Sequence, residues 1–516
     1  MESLTRTAAI DGPEPVLVTV ECSLTSGFAG LQLVGNTSEL CRDGKERAKA
    51  ALEKLGYRFG QKRILINLAP ADCRKEGNHF DLPIAVSLAA LERDQPMAQE
   101  AHGWLFAAEL SLDGKLRPIK ALIPLALAAL RGGLKGLVLA GAHRQEMATL
   151  KKLPALEGQL QPLFFDHLEE VLKWLFEGTM PPATSIAHPL GETAAQGRDF
   201  DDMLLSPELE DLAVAAAAGR HSLLLRGTPG AGKSMFAQRL PSILPRLDSQ
   251  VHFETLQVYS LQHQTLPRDL LLGRPPFRTP HHSASAQAVL GTAEEPGELA
   301  LAHGGLLFLD ELPEFRRDLL ESLREPLEQR MIHVSRAQRK ARWPASLQFI
   351  AACNNCPCGW YGSAKRLCRC STQKILKYAQ RLSGPLLDRI DIHFTMPEVS
   401  HELWLRGGLQ TPGRTQSLRT RVERARERAL RRNEAWGQGH NAELAAEYLP
   451  EALACSEELY RGYLQELAGR RLSNRAMVRC LRVSRTLADL DESVAVKPQH
   501  LEPALRWQNS QGFAHA

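Results

Sequence analysis

Nothing in this chain reads as a membrane segment or a leader. The longest apolar stretch, around Ala121–Leu130, stops at Arg131, well short of the roughly 20 residues a helix needs to cross a bilayer. The opening residues, MESLTRTAAIDGPEP, hold no apolar core, so no secretory signal is expected. An excess of one charge is missing too. The formal net charge is only +4 over 516 residues, so bulk charge neither demands nor excludes nucleic acid, and local stretches must decide. Cysteine is sparse, at 10 residues. Without an export signal that implies a reducing cytoplasm, where clustered cysteines read as metal ligands before disulfides. What remains is an ordinary soluble composition, long enough for three units of roughly 100–200 residues each.

The stretch that organises the rest is Leu223-Leu-Leu-Arg-Gly227-Thr228-Pro229-Gly230-Ala231-Gly232-Lys233-Ser234. Three leucines make a short apolar run suited to a buried parallel strand. GxxxxGK(S/T) follows, and Met235–Leu240 reads as a helix. Strand, glycine-rich loop and helix N-terminus are the context that makes such a motif a P-loop rather than a chance turn. Its backbone N–H groups wrap phosphates, Lys233 reaches the β/γ-phosphates and Ser234 supplies a hydroxyl to Mg²⁺. ATP and Mg²⁺ are therefore the expected cofactors.

Gly304-Gly-Leu-Leu-Phe-Leu-Asp310-Glu311 is a second anchor. An apolar strand ending in two acids delivers carboxylates to the edge where open α/β sheets bind ligands. Asp310 is expected to hold Mg²⁺ and Glu311 to polarise the attacking water. A third strand, Ser346–Ala352, delivers Asn354, either an ordinary turn residue or, as in AAA+ ATPases, the residue that orients that water.

Three further stretches bear on the substrate. Met331–Val334 and Ala341–Pro344 can flank a hairpin whose tip carries Arg336, Arg339 and Lys340. This is either a solvated basic turn or a DNA-backbone tracker indifferent to sequence. Cys356, Cys358, Cys368 and Cys370 form two CxC pairs around a nine-residue loop. Four thiolates suit a tetrahedral Zn²⁺, although reduced cysteines packed for other reasons stay open. Cys353 reads as a core residue. Adjacent His281 and His282 are expected to point apart, as neighbours do in strand or helix, which argues against metal. Leu418–Arg432 is a strongly basic helix, open to nucleic acid or to a lid role with Glu423 and Glu427 as partners.

The first 178 residues read as one α/β unit. Its strands fall at Val16–Val20, Leu31–Val34, Arg63–Leu68 and Lys135–Ala140, and its helices at Asp43–Leu55, Leu82–Leu91 and Leu168–Phe176. Through "VTVE", "NLAPAD", "KEGNHFDLPIA" and "GKLRPIKALIPLALAAL" it resembles the Lon-protease-like (ribosomal S5 domain 2-like) domain at the front of ComM/YifB proteins. The position matching the Lon nucleophilic serine is Asp81, and the lysine position falls near Ile123, with Lys120 close by. A carboxylate cannot replace a serine hydroxyl as nucleophile, so a structural or binding module is expected here.

Across nearly its whole length the chain resembles the ComM/YifB family, through the elements above together with "RTPHHSASAQAVLG", "GGLLFLDELPEF" and the cysteine motif. The resemblance implies an α/β multidomain protein: Lon-like domain 1–178, linker 179–205, AAA+ chelatase-type P-loop αβα core 206–395, and all-α C-terminal lid 396–516. It implies a cytoplasmic, hexameric ATP hydrolase that drives helicase or branch-migration work on single-stranded or branched DNA in natural transformation and recombination. It also assigns Arg389, in Gly384-Pro-Leu-Leu-Asp-Arg-Ile-Asp391, as an arginine finger acting in trans, and Arg475 as a sensor touching the γ-phosphate from the lid. Asn355 departs from the proline usual in relatives and is expected to loosen the turn after Asn354. The competing reading is a chelatase-like ATPase that remodels a protein partner. A protease and a non-enzymatic ATP-binding scaffold fit less well, because Asp81 replaces the nucleophile while the ATP-site residues are present.

Overall fold

The computed structural model describes residues 3–11, 14–60, 62–93, 103–153, 156–180, 198–263, 265–336, 339–398, 411–470 and 472–508. The front unit is built on a seven-stranded mixed sheet. Its spatial order is Gly30–Val34, Arg63–Ala69, Glu14–Thr25, Ser3–Asp11, Trp104–Phe106, Gly136–Ala140 and Gln161–Phe165. Alternate burial along Arg63–Ala69 puts Ile64, Ile66 and Leu68 inward, the period-two signature of a strand with one covered face. Helices Glu39–Lys54, Asp81–Arg93 and Leu168–Glu177 cover that face. Ser38 starts the first of them by accepting from the Cys41 N–H, a side-chain oxygen meeting an orphan donor of the first turn.

Helix Leu122–Arg131 covers the other face and then does something more. Its apolar residues share one core with Phe253, Leu256 and Tyr259 of helix Ser249–Ser260 in the following unit. The Ala121 N–H also donates to the Ser260 carbonyl at 2.5 Å.

That following unit is a five-stranded sheet in the order Phe277–Arg278, Leu306–Leu309, Gln348–Cys353, Leu223–Arg226, Ile392–Thr395. Every pairing in it is parallel. Such sheets need both faces covered, and here Leu223 and Leu225 face one core while Leu224 faces the other. Helix Pro207–Gly219 lies over the first face, opened by Ser206 accepting from the Leu209 N–H with proline at its first turn, as its sequence predicts. The remainder is helical: Arg414–Asn433, Glu457–Gly469, Asn474–Leu490 and Pro498–Arg506 are its longer members.

Several expectations need correction. Strands Ser3–Asp11, Trp104–Phe106 and Gln161–Phe165 and helix Leu122–Arg131 were not legible as elements of the front sheet. Within the stretch read as a linker, 181–197 lies outside the described residues. Residues 198–205, however, are packed: Phe200 is fully buried against Phe236, and Asp202 pairs with Arg239 at 2.6 Å. Four arginines of the basic helix meet partners within the chain. Arg419 bonds the Ser242 carbonyl, Arg426 bonds Ala217, Arg428 bonds Asp489, and Arg432 reaches the Asp489 carboxylate, so these cations are consumed inside the chain. Of the expected intrahelical partners, Glu427 meets Arg431 at 2.5 Å.

Candidate functional site

Register fixes the site. Arg226 pairs with Cys353 and Leu309 with Ala351, so the chain leaves the C-terminal ends of three adjacent strands at Gly227, Asp310 and Asn354. The P-loop between Gly227 and Ser234 turns through Gly230 (φ 80°) and Gly232 (φ 87°), left-handed conformations in which a Cβ is costly. Lys233 points its ammonium back into this loop. Nζ donates to Gly227 O at 2.8 Å, Thr228 O at 2.9 Å and Asn354 Oδ1 at 3.1 Å. Burial lowers the Lys233 pKa, against the pull of nearby Cys353, Asp310 and Glu311. Ser234 Oγ lies 2.5 Å from Asp310 Oδ2, the hydroxyl and carboxylate expected to share a divalent cation.

Glu311 follows in a left-handed conformation (φ 53°), unusual for a residue with a Cβ and of the kind held at functional sites. Its N–H donates to Asp310 Oδ1 at 2.9 Å, and its carboxylate is exposed 3.6 Å from His282 Nδ1. The two histidines do not point apart. They occupy a turn rather than a strand or helix, and their rings lie 4.0 Å from each other. Sequence reasoning thus missed His282 as a neighbour of Glu311.

Arg389 and Arg475 lie elsewhere. Both meet Glu328, Arg475 at 3.6 Å and Arg389 through Nη2. They line a cleft of about 460 Å³ with Arg220, Arg330, Arg479 and Arg482. Its walls include Ser222, Leu347 and Asp391, which precede strands of the central sheet, so the cleft sits at the N-terminal edge. The P-loop sits at the opposite edge, about 13 Å away along a four-residue strand. Helix Asn474–Leu490 carries Arg475 to this N-terminal side of the sheet, opposite its own chain's P-loop. Arg389 Nε and Arg479 Nε are buried there without hydrogen-bond partners, although an unpaired buried donor is costly. Glu328 gave no signal in the sequence.

The hairpin forms as expected from Met331–Arg336 and Arg339–Pro344, with Arg336 opposite Arg339. The side chains of Arg336, Arg339 and Lys340 lie outside the described residues. At the base, Trp343 is fully buried and donates Nε1–H to the Thr292 carbonyl at 2.8 Å, tying the hairpin to the segment between strands Phe277–Arg278 and Leu306–Leu309. Cys353 is a buried strand residue whose thiol burial pushes up to about 11. The four clustered cysteines place their sulfurs within 4.8 Å of one another. Asn355 does not loosen the turn: its Nδ2 donates to Tyr361 O at 3.0 Å.

In the front unit Asp81 begins a helix, fully buried. Arg47 grips it through Nε at 2.7 Å and Nη2 at 3.0 Å, and the Leu110 N–H donates to it at 3.1 Å. Burial nevertheless pushes its pKa up to about 6. The hydrogen bond to Asp81 raises the Arg47 pKa, because the partly exposed guanidinium loses little hydration while the enclosed carboxylate loses nearly all. Lys120 is exposed and Ile123 buried. This is a structural ion pair where a Ser–Lys dyad would stand.

A P-loop strand flanked by a sensor strand, with Asp-Glu one strand further on, defines an AAA+ ATPase of the magnesium-chelatase type. Family models described as magnesium chelatase subunit ChlI match residues 199–403, those for subunit ChlI of Mg-chelatase match 20–143, and those for the ChlI C-terminal part match 413–508. The chain is 36% identical over 506 residues to the competence protein ComM of Haemophilus influenzae, covering 96% of this chain and 95% of that protein. It is 35% identical over 513 residues to YifB of Escherichia coli, covering 98% and 97%. It belongs to the ComM/YifB family. A Lon protease of Trichlorobacter lovleyi is 23% identical over 171 residues, 32% of this chain and 20% of that protein. No helix among the described residues is long and apolar enough to cross a membrane.

Proposed function

We propose that this chain is an ATP-driven motor that acts on DNA as a closed ring of identical subunits, six by family analogy. One observation carries the reading: the chain presents its P-loop at one edge of the sheet and its arginine cleft at the other. A heterologous contact that closes into a ring would bring the two together. Within one subunit Gly227–Ser234 cradle the triphosphate and Lys233 leaves its loop carbonyls for the phosphates. Ser234 and Asp310 would hold Mg²⁺, which would supply positive charge against the phosphate oxygens. Glu311 accepts the proton of the attacking water while Asn354 orients that water. Arg389 and Arg475 leave Glu328 for the neighbour's γ-phosphate and stabilise charge on the transferring group.

The basic hairpin between the Asp-Glu strand and the sensor strand supports DNA as the substrate, with Arg336, Arg339 and Lys340 tracking its backbone. The name of the Haemophilus relative, a competence protein, supports a role in handling incoming DNA during transformation and recombination, which would take place in the cytoplasm. The proposed units are a Lon-like module that does not cleave peptides (1–178), a linker (179–205), the ATPase core (206–395) and a lid (396–516). The test is ATP-dependent strand release from forked and three-stranded DNA, with Lys233→Ala as control. Release by the unaltered protein alone is the expected result. ATPase turnover that ignores added DNA, with no strands released, would reject the motor. The three chelatase-subunit matches would then favour remodelling of a protein partner.

A further inference from the structure

The cysteine loop is not a free-standing knuckle. Cys356 and Cys358 lie 3.3 Å apart at sulfur, Cys356 and Cys368 3.7 Å, Cys358 and Cys368 3.6 Å. Four thiolates about 2.3 Å from a tetrahedral Zn²⁺ stand about 3.8 Å from each other; these three sulfurs are within about 0.5 Å of that spacing, and with all four inside 4.8 Å the set closes on a metal with shifts of about 1 Å or less. The backbone supplies the N–H···S donors that thiolate charge needs, Tyr361 to Cys356 and Cys370 to Cys368, both at 3.4 Å.

Inside this ring of sulfurs the chain runs over the P-loop. Gly359 (φ 83°) lies so close that a Cβ there would come within 2.5 Å of Pro229 Cγ. The Glu398 carboxylate is held low by hydrogen bonds from Ser363 of the cysteine loop and Thr228 of the P-loop. Asn354, at the root of the loop, holds Lys233, and Asn355 ties the root to Tyr361. The loop therefore forms a wall of the phosphate cradle, and both ends of its helix-free course are anchored in the sulfur cluster.

We propose that Zn²⁺ bound by Cys356, Cys358, Cys368 and Cys370 clamps residues 356–370 onto the P-loop, so that metal occupancy sets nucleotide affinity. Binding releases the thiol protons to solvent, and the metal stays redox-inert. The inference rests on the nucleotide-site reading above. Its test uses the full-length protein, purified in reductant without added metal. Zinc content, fluorescent-ADP affinity and far-UV circular dichroism are measured before and after chelation and after zinc is restored.

About one zinc per chain is expected. Stripping should weaken nucleotide binding about tenfold, the scale of one lost hydrogen-bond-sized contribution, with the helical signal retained and affinity recovered on refilling. Gly359→Ala should keep the zinc yet lose a comparable factor in affinity. Protein that holds no zinc, and gives no thiolate-to-metal absorption with Co²⁺, overturns the metal site. Nucleotide affinity indifferent to zinc removal overturns the clamp. Zinc-loaded protein that binds no nucleotide at all instead rejects the ATP-site reading on which the inference stands.

Discussion

If the arginine cleft serves a neighbour, two inactive variants should repair each other. Arg389→Ala leaves Gly227–Ser234, Asp310 and Glu311 untouched, while Lys233→Ala leaves the cleft untouched, because the two sets occupy opposite edges of one sheet. Loss of an arginine finger lowers turnover by about 10³–10⁵, so each variant alone should be nearly silent. In rings assembled at random from equal amounts of both, an interface works only when a Lys233-bearing subunit meets an Arg389-bearing neighbour. That occurs at about one interface in four, so steady-state ATPase should recover to roughly a quarter of normal, far above either variant alone. The assay is phosphate release at fixed total protein while the mixing ratio is varied, with a maximum expected near equal amounts. A flat baseline across all ratios, from mixtures shown to share rings, would refute the trans arrangement and return Arg389 to a structural role on Glu328.

Trp343→Ala should cost roughly 3–5 kcal/mol locally, release the hairpin from Thr292 and abolish stimulation of ATPase by DNA, while basal turnover persists; an unchanged DNA response would separate the hairpin from DNA. Replacing Arg336, Arg339 and Lys340 by alanine should flatten the dependence of single-strand affinity on salt by about two units of log–log slope, near 0.7 per lost phosphate contact; an unaltered slope removes them from the interface. Asp81 makes a prediction about pH. Its folded pKa, pushed up to about 6, exceeds its ordinary value of 3.8, so the folded chain holds the proton more tightly. Its contribution is full below about pH 4 and is lost as pH rises through 6, by roughly 3 kcal/mol at most. Urea midpoints of the unaltered protein should therefore rise relative to Asp81→Asn between pH 7 and 4.5. A relative fall would mean that the Arg47 ion pair outweighs burial.

Much of the nucleotide site could be read from residues alone because it is local. The glycines, Lys233 and Ser234 are contiguous, and Asp310, Glu311 and Asn354 each end an apolar run whose register in a parallel sheet is nearly forced. Short or proline-bearing strands were harder. Trp104–Phe106 is three residues long and Gln161–Phe165 carries a proline, too little for a period to show. The sides of the sheet were not legible for Arg389 and Arg475, since that depends on how the lid helices pack and on a single acid, Glu328, remote from both in sequence. The turn at His281–His282 has no alternation to betray it, so the rule for regular elements misplaced both rings.

The shared core between helix Leu122–Arg131 and helix Ser249–Ser260 makes the front unit a brace rather than an appendage. An ATPase cut out from residue 198 onward would lose the apolar cover that helix Leu122–Arg131 gives the core around Phe253, Leu256 and Tyr259, and apolar surface uncovered in this way favours aggregation. It would also lose the hydrogen bond that ends helix Ser249–Ser260. In engineering terms the ATPase unit has no detachable head. The unit that holds the buried Asp81–Arg47 pair is thus also the support of the ATPase sheet's neighbouring helix.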